Sequence, residues 1–476
     1  MKKSLLNKPS IWCFTIYFTE GFPFGIVRMM TSVFFTDIGM RERYLGYLNA
    51  LGLPWNAKFL WAPLVDIFGG KRRWMQSVQV AIAVLALVAA ALCSAAGKAH
   101  GIAVPDSIFV FLFVVMAFVA ATNDVVIDGY YMEGLTDTKE QAAYTGYRVF
   151  AYRLALVVAK FGIIYAVGMT AKRVAGGSMY TAWSFGFAAA AAIMGLFAVY
   201  HLFALPDFGT AQKPGATIRK AADDFLTSFS SYLEISRRQS FTALASGVGA
   251  AIATFAVLLI CKTEAVPAMN FGILALLVVM AVQAKPAVAL SLLFIVCYKI
   301  GDEIIFSMGT PFLKRYLLVT NIQLAWMSGL VGLFGSIVGT TVGGLWIKKT
   351  GLAKAIWPLT LLMNVNILAY VWLAWQRPYA TSLSGMLTIG GVYCYEQIAA
   401  GLGNAVLIVY ILQTCKKEFK AGHYAIGSAF MSVFSTIFGT FSGIIVEHLG
   451  YTNLFVIGFC ATIPAMALMF FVKIRE

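Results

Sequence analysis

Apolar residues gather in stretches of 18 to 25 positions with few or no charges, separated by short polar turns. A helix of that length crosses a hydrocarbon core of about 30 Å. The pattern predicts spans over 11–36, 44–65, 75–96, 107–131, 149–169, 180–204, 241–260, 265–284, 287–309, 322–347, 355–375, 382–411, 423–446 and 451–472. That is an all-α polytopic membrane protein of about 14 spans, with both termini on one side.

The spans fall into two groups of six with a separate middle section. The longest polar segment, 205–240, carries Pro206 and Pro214 and reads as a linker. The expected organisation is an N-terminal six-helix bundle over 1–204, the linker over 205–240, an inserted two-helix hairpin over 241–285, and a C-terminal six-helix bundle over 286–476. Loops elsewhere are too short for a soluble catalytic domain. Gly335, Gly339 and Gly343 recur every four residues, as do Gly439 and Gly443, a spacing that lets helix backbones approach closely in lipid.

Composition agrees: the chain is 60% hydrophobic and 12% charged, against about 25% charged in ordinary soluble proteins. Soluble enzymes, nucleic-acid binders and disordered chains are excluded. The net charge of +15 could suggest an acidic partner, but its distribution makes it a topology signal. Lys2-Lys3, Lys71-Arg72-Arg73, Arg237-Arg238, Lys348-Lys349 and Lys416-Lys417 all fall on one side, which the positive-inside rule makes cytoplasmic, the side of both termini. The basic start resembles a signal peptide, but the first span is too long and contains Glu20 and Arg28, so it reads as an uncleaved helix. The 7 cysteines form no CxxC pair and the 4 histidines no zinc pattern, so reduced structural thiols and no metal are expected.

Eleven charges lie within the spans: Glu20, Arg28, Lys58, Asp124, Asp128, Arg153, Lys160, Lys299, Asp302, Glu303 and Glu396. A central charge costs about 2.5–3.5 kcal/mol on insertion scales, so these must pair, face a wet cavity or snorkel. Asp124 and Asp128, four apart, share a helix face and suit a proton carrier; equally, each could pair with Lys58 or Arg153 and hold helices in register. Arg153 and Lys160 form a positive strip suited to an anionic ligand, although Lys160 could snorkel. Lys299 is within helical reach of Asp302 and Glu303, where a local ion pair is the plainer reading. Glu396, among Tyr393, Tyr395 and Gln397, has the setting of a cavity residue. No Walker sequence, nucleophile elbow or HExxH appears, so neither ATP-driven transport nor covalent chemistry is encoded.

Particular motifs carry a resemblance. Lys58-Phe59-Leu60-Trp61-Ala62-Pro63-Leu64-Val65-Asp66 with Lys71-Arg72-Arg73-Trp74, Ala121-Thr122-Asn123-Asp124-Val125-Val126-Ile127-Asp128, Ala151-Tyr152-Arg153-Leu154 and Tyr17-Phe18-Thr19-Glu20-Gly21-Phe22-Pro23 are similar to motifs of AmpG-type muropeptide permeases. The second half agrees at Tyr298-Lys299-Ile300-Gly301-Asp302, at Tyr395-Glu396 with Gly401 and Gly403, and at Val446-Glu447-His448-Leu449-Gly450-Tyr451. The resemblance, over about 14–465, implies the major facilitator fold and a proton-linked permease of the bacterial inner membrane. Well-known members return anhydro-muropeptides to the cytoplasm for peptidoglycan recycling. It also singles out Lys58, Asp124, Asp128, Arg153, Lys299, Asp302 and Glu396. Arg28, Lys160, Glu303 and the central hairpin depart from the family plan, and relatives of that clan carry siderophores or acetyl-CoA.

The expectation is therefore a secondary active importer of a small, anionic, amphiphilic solute, with protons and membrane lipid as partners, no cofactor and no nucleic-acid partner. Arg28, Lys58, Arg153, Lys299 and Glu396 are candidates for holding solute. Glu20, Asp124, Asp128, Asp302 and Glu396 are candidates for protonation, and Asp66, Arg72 and Arg73 for a cytoplasmic latch. A siderophore, acetyl-CoA-like or other organic anion carrier, and a non-transporting membrane sensor or assembly partner, are the alternatives.

Overall fold

The computed structural model describes residues 8–67, 70–97, 103–173, 178–208 and 218–474, with the side chains of Asp66, Ile67, Thr138, Ala142, Ile218, Ala221, Lys417, Lys420 and Ala421 left aside. The described residues are helical almost throughout and include no strand. The first predicted span is α1 (Pro9–Gly25), a π turn (Ile26–Met30) and α2 (Thr31–Asp37). The second is a chain of short pieces: α3 (Glu42–Tyr47), a 3₁₀ turn (Leu48–Gly52), α4 (Leu53–Ala57), another 3₁₀ turn (Lys58–Leu60) and α5 (Ala62–Ile67). Pro54 and Pro63 explain the fragmentation, because each lacks the N–H that would bond four residues back. A 3₁₀ turn precedes or adjoins each.

Longer helices follow: α6 (Lys71–Ala96), α7 (Asp106–Gly134), α8 (Thr138–Val157) continued through a π turn (Val158–Ile163) into α9 (Ile164–Arg173), and α10 (Met179–Ala204). The middle section holds α11 (Ile218–Leu233), α12 (Arg237–Ile260) and α13 (Ala265–Gln283). Then come α14 (Pro286–Tyr298), α15 (Ile300–Pro311) with a π turn (Phe312–Tyr316), α16 (Asn321–Leu324) with a π turn (Ala325–Val331), α17 (Gly332–Thr350), α18 (Leu352–Gln376), α19 (Leu383–Thr414), α20 (Lys420–Cys460) and α21 (Ile463–Leu468). The span expected over 287–309 is broken at Lys299 (φ −98°, ψ −4°). The two expected over 423–446 and 451–472 share α20, which bends at Gly450, where φ is 78°. Among the described residues, ten helices are long and apolar enough to cross a membrane.

The chain forms two compact units. Unit 1 comprises 1–40, 54–218 and 319–331; unit 2 comprises 41–53, 219–318 and 332–476. In unit 1, α10 packs on α6, α1 on α8 and α6 on α7. Its core is aromatic, with Phe34 meeting Phe109, Trp183 and Phe187 edge-on at 5.1, 5.5 and 5.2 Å. In unit 2, α17 packs on α19, α12 on α13, and α3 and α15 on α20. A Cβ on Gly339 would sit 2.0 Å from the Ile398 carbonyl, and one on Gly443 would sit 2.1 Å from that of Glu42. The glycine spacings thus serve backbone contact. Unit 2 also carries the hairpin. Phe229, Tyr232 and Leu233 of α11 pack against Leu277 and Met280 of α13 and Phe430 of α20. The amide of Lys285 donates to the Leu233 carbonyl at 3.3 Å, so the two ends of the α12–α13 pair meet. Large apolar side chains such as Phe203, Ile260 and Leu383 point outward, as expected where lipid replaces water around the helices.

Candidate functional site

The charges inside the helices collect into clusters, one in each unit. In unit 1, Asp124 and Asp128 project from one face of α7. Lys58, delivered by the 3₁₀ turn before α5, forms an ion pair with Asp124. Asp128 Oδ1 accepts hydrogen bonds from the Tyr17 hydroxyl at 3.0 Å and from Arg148 Nη2 at 3.1 Å. Glu20 of α1 stands among Asp124, Asp128 and Lys58, and its Oε2 is buried without a hydrogen-bond partner. Close helix approach makes the convergence possible: a Cβ on Gly21 would lie 2.8 Å from the Tyr152 carbonyl, and one on Gly25 would lie 2.7 Å from Ala159 Cβ.

Beside this cluster, starting at Asn123 and Thr19 next to Asp124 and Glu20, lies a fully buried polar row. Asn123 Nδ2 donates to the Thr19 carbonyl at 2.9 Å, Gln79 Nε2 to Thr19 Oγ1 at 3.0 Å, and His201 Nδ1 to Gln79 Oε1 at 2.6 Å. Four helices are thereby tied at the level of the carboxylates. Neither this row nor Arg148 was anticipated. The span expected over 149–169 began one residue past Arg148, whereas α8 starts at Thr138 with the Asp137 side chain accepting from Lys139 N at 3.0 Å. That N-cap aspartate was the available signal.

Three further candidates lie along α1 and α8. Arg28 and Lys160 are half-buried in π turns, Ile26–Met30 and Val158–Ile163, which pack on each other. Such turns widen the helix locally and often accompany function. Arg153 is half-buried and makes no hydrogen bond or ion pair with a described residue.

The cluster in unit 2 forms where α14 gives way to α15. Lys299 pairs with Asp302 and donates to Asn404 Oδ1 of α19 at 3.0 Å. Glu303 is half-buried. Glu396 is buried, accepts from Gln397 Nε2 at 2.6 Å, and lies by the buried rings of Tyr370 and Tyr393. The α18–α19 crossing is tight, since a Cβ on Gly403 would fall 1.9 Å from Met363 Sδ. Asn364, on the same stretch of α18, is buried with neither amide atom hydrogen-bonded.

Around the basic run expected to serve as a latch, Lys71 donates to Glu133 at 2.6 Å, while Arg72 reaches Asp207 at 3.5 Å and the Leu202 carbonyl at 3.4 Å. With Arg73, Gln76, Tyr130 and Phe208 they line a pocket of about 260 Å³. The Asp66 side chain lies outside the described residues. A second charged belt, which the span reading passed over as loops, ties α3 within unit 2. Arg43 and the Tyr47 hydroxyl donate to Glu264 at 2.8 and 2.6 Å, Arg41 pairs with Glu447, and Arg315 donates to Glu42 at 3.0 Å. The Tyr47 hydroxyl and the Arg43 guanidinium hold the Glu264 carboxyl below its usual range.

No family model matches the chain. It is 23% identical over 457 residues to the anhydromuropeptide permease of Escherichia coli K12, covering 95% of this chain and 77% of that protein. Putative transporter AmpG 4 of Rickettsia felis is 23% identical over 468 residues, covering 97% of this chain and 95% of that one. Among solved structures, a bacterial homologue of the human lysosomal transporter Spinster superposes with a TM-score of 0.66 at 12% identity, covering 99% of this chain and 97% of that chain. The nucleoside transporter NupG gives 0.62 at 11% identity over 98% of this chain and 99% of that one. The fold is the major facilitator fold expected from the motifs, the protein is a multi-pass membrane protein, and its relatives include AmpG-named transporters and an anhydromuropeptide permease, as those motifs suggested.

Proposed function

We propose that this chain is a secondary active transporter of the bacterial inner membrane that imports an anhydro-muropeptide together with protons, both termini facing the cytoplasm. Similarity along nearly the whole chain to an anhydromuropeptide permease supports the solute. The observation that carries proton coupling is the unit 1 cluster. Three carboxyl groups, Glu20, Asp124 and Asp128, face two cations, Lys58 and Arg148. An unpaired carboxylate is costly away from water, and Glu20, with a buried unbonded oxygen, is the group that takes the proton. Protonation there brings the cluster to neutrality.

In this reading Arg28, Lys58, Arg153 and Lys299 attract the anionic solute, and Asp124, Asp128, Asp302 and Glu396 respond to proton and solute. Lys71, Arg72 and Arg73 work the cytoplasmic latch with Glu133 and Asp207. The chemistry is movement, not bond-making. The test is uptake of labelled anhydro-muropeptide by proteoliposomes with an inward proton gradient. Accumulation that a protonophore abolishes is expected. No uptake would overturn the solute assignment, and uptake indifferent to the protonophore would overturn the coupling.

A further inference from the structure

We propose that Arg148 grips a carboxylate of the solute on its way through unit 1, and that Asp128 holds the same guanidinium when no solute is present. The proposal rests on the transport reading above and adds to it the chemical group recognised and the residue that recognises it. Four observations carry it.

First, the guanidinium sits in the corner between two aromatic rings set nearly at right angles. Its carbon lies 4.3 Å from the ring centroid of Tyr17 and 4.5 Å from that of Tyr131. The two rings are themselves fixed: they meet edge-on at 5.6 Å, and the Tyr131 hydroxyl donates to the Gln141 carbonyl at 2.5 Å. Two such cation–π contacts hold the cation in place while its N–H groups still reach an acceptor. Such preorganisation reduces the entropy lost on binding.

Second, the edge of the guanidinium makes only single-point contacts, with Asp128 and with the Tyr131 hydroxyl. A guanidinium carries five N–H donors in a fork that matches a carboxylate in two-point fashion. The ion pair with Asp128 uses one nitrogen and one oxygen, Nη2 and Oδ1, at 3.1 Å. Oδ1 is also shared with the Tyr17 hydroxyl. A single-point pair is the weaker form, and an incoming carboxylate that engages both prongs replaces it favourably.

Third, the site is reachable. The Arg148 and Asp128 side chains keep 33% and 37% of their surface exposed, against 12% for Asp124 in the neighbouring pair. Fourth, the exchange sets a proton requirement for the cluster. Asp128 faces Glu20 and Tyr17 from α1, Lys58 from the 3₁₀ turn, Asp124 on its own helix and Arg148 from α8. When solute takes Arg148, its carboxylate adds a negative charge, and a second proton, on Asp128 beside the one on Glu20, restores neutrality to the cluster. When solute leaves, Asp128 recaptures the guanidinium and favours release.

The test compares uptake of labelled anhydro-muropeptide with that of its carboxamide analogue in proteoliposomes containing the full chain. Wild type should favour the acid. Arg148→Gln should raise KM for the acid about tenfold, the cost of one charge-assisted contact, with KM for the amide nearly unchanged. Arg148→Lys should restore only part of the discrimination, because an ammonium offers no fork. Asp128→Asn, which weakens the competing acceptor, should lower KM for the acid and not for the amide. The proposal is overturned if Arg148→Gln keeps the wild-type acid-to-amide ratio, or if Asp128→Asn shifts both compounds equally. Wild type that moves neither compound overturns the transport reading itself, a distinct outcome.

Discussion

Lys58 and Asp124 lie 66 residues apart and meet in a direct ion pair, the lysine on a 3₁₀ turn and the aspartate midway along α7. The broken helix is what turns the lysine toward the carboxylate. Lys58→Gln should destabilise the protein by less than the roughly 3–5 kcal/mol typical of a fully buried pair, because the lysine is partly exposed. The double variant Lys58→Gln/Asp124→Asn should recover part of that loss, since no charge is then left alone. Thermal melting in detergent of the single and double variants reads the difference. A double variant less stable than the sum of the singles would argue against a simple pair.

Glu20→Gln mimics the protonated carboxyl permanently. Accumulation driven by a proton gradient should disappear, while exchange of labelled for unlabelled solute across the vesicle should persist. Counterflow assays at matched expression separate the two. Full gradient dependence in this variant would move the proton site elsewhere.

The α17–α19 crossing offers a packing test with an internal control. Gly339→Ala drives a methyl into the Ile398 carbonyl, and overpacking of this kind costs about 1–3 kcal/mol. Gly344→Ala, on the same helix, meets nothing within 4 Å and should be neutral or slightly stabilising. Melting temperatures of the two variants give the comparison.

Glu264 predicts a pH dependence with a definite sign. Its carboxyl is held below the usual range by Tyr47 and Arg43, so the folded state binds its proton less readily than the unfolded chain. The contribution is complete above the ordinary glutamate value of about 4.3 and is lost as pH falls through the lower, folded value. Glu264→Gln should therefore lower the melting temperature slightly and evenly between pH 6 and 8 (values chosen about two units above that range), and the gap to wild type should close on acidification. A gap that widened on acidification would contradict this assignment. Because the pair is largely exposed, the effect is small.

The helices and the fold were legible because membrane insertion writes length and apolarity directly into sequence: α6, α7, α10, α12, α13 and α18 coincide with expected spans. The break near Lys58 follows from Pro54 and Pro63, but the one at Lys299 was not legible, because no proline marks it and its partner Asn404 comes from α19. Most of the charges later found in clusters could be named from the cost of placing them in lipid. Two of their pairings could be named as well, Lys58 with Asp124 and Lys299 with Asp302, whereas Asp128 takes Arg148, where Arg153 had been the candidate. Arg148 was missed because a hydropathy window ends a helix where charge begins, although the helical backbone extends past it to Thr138. The Gln79–His201 contact involves residues from helices far apart in the chain, and only tertiary packing brings them together.

The hydrogen bond between the Lys285 amide and the Leu233 carbonyl joins the two feet of the middle helix pair. Where the helix pair Arg237–Gln283 departs and returns, the backbone is already closed on itself, like a corner sewn shut around a tuck of cloth. The ends of α11 and α14 are therefore pinned to each other whatever the helix pair between them does.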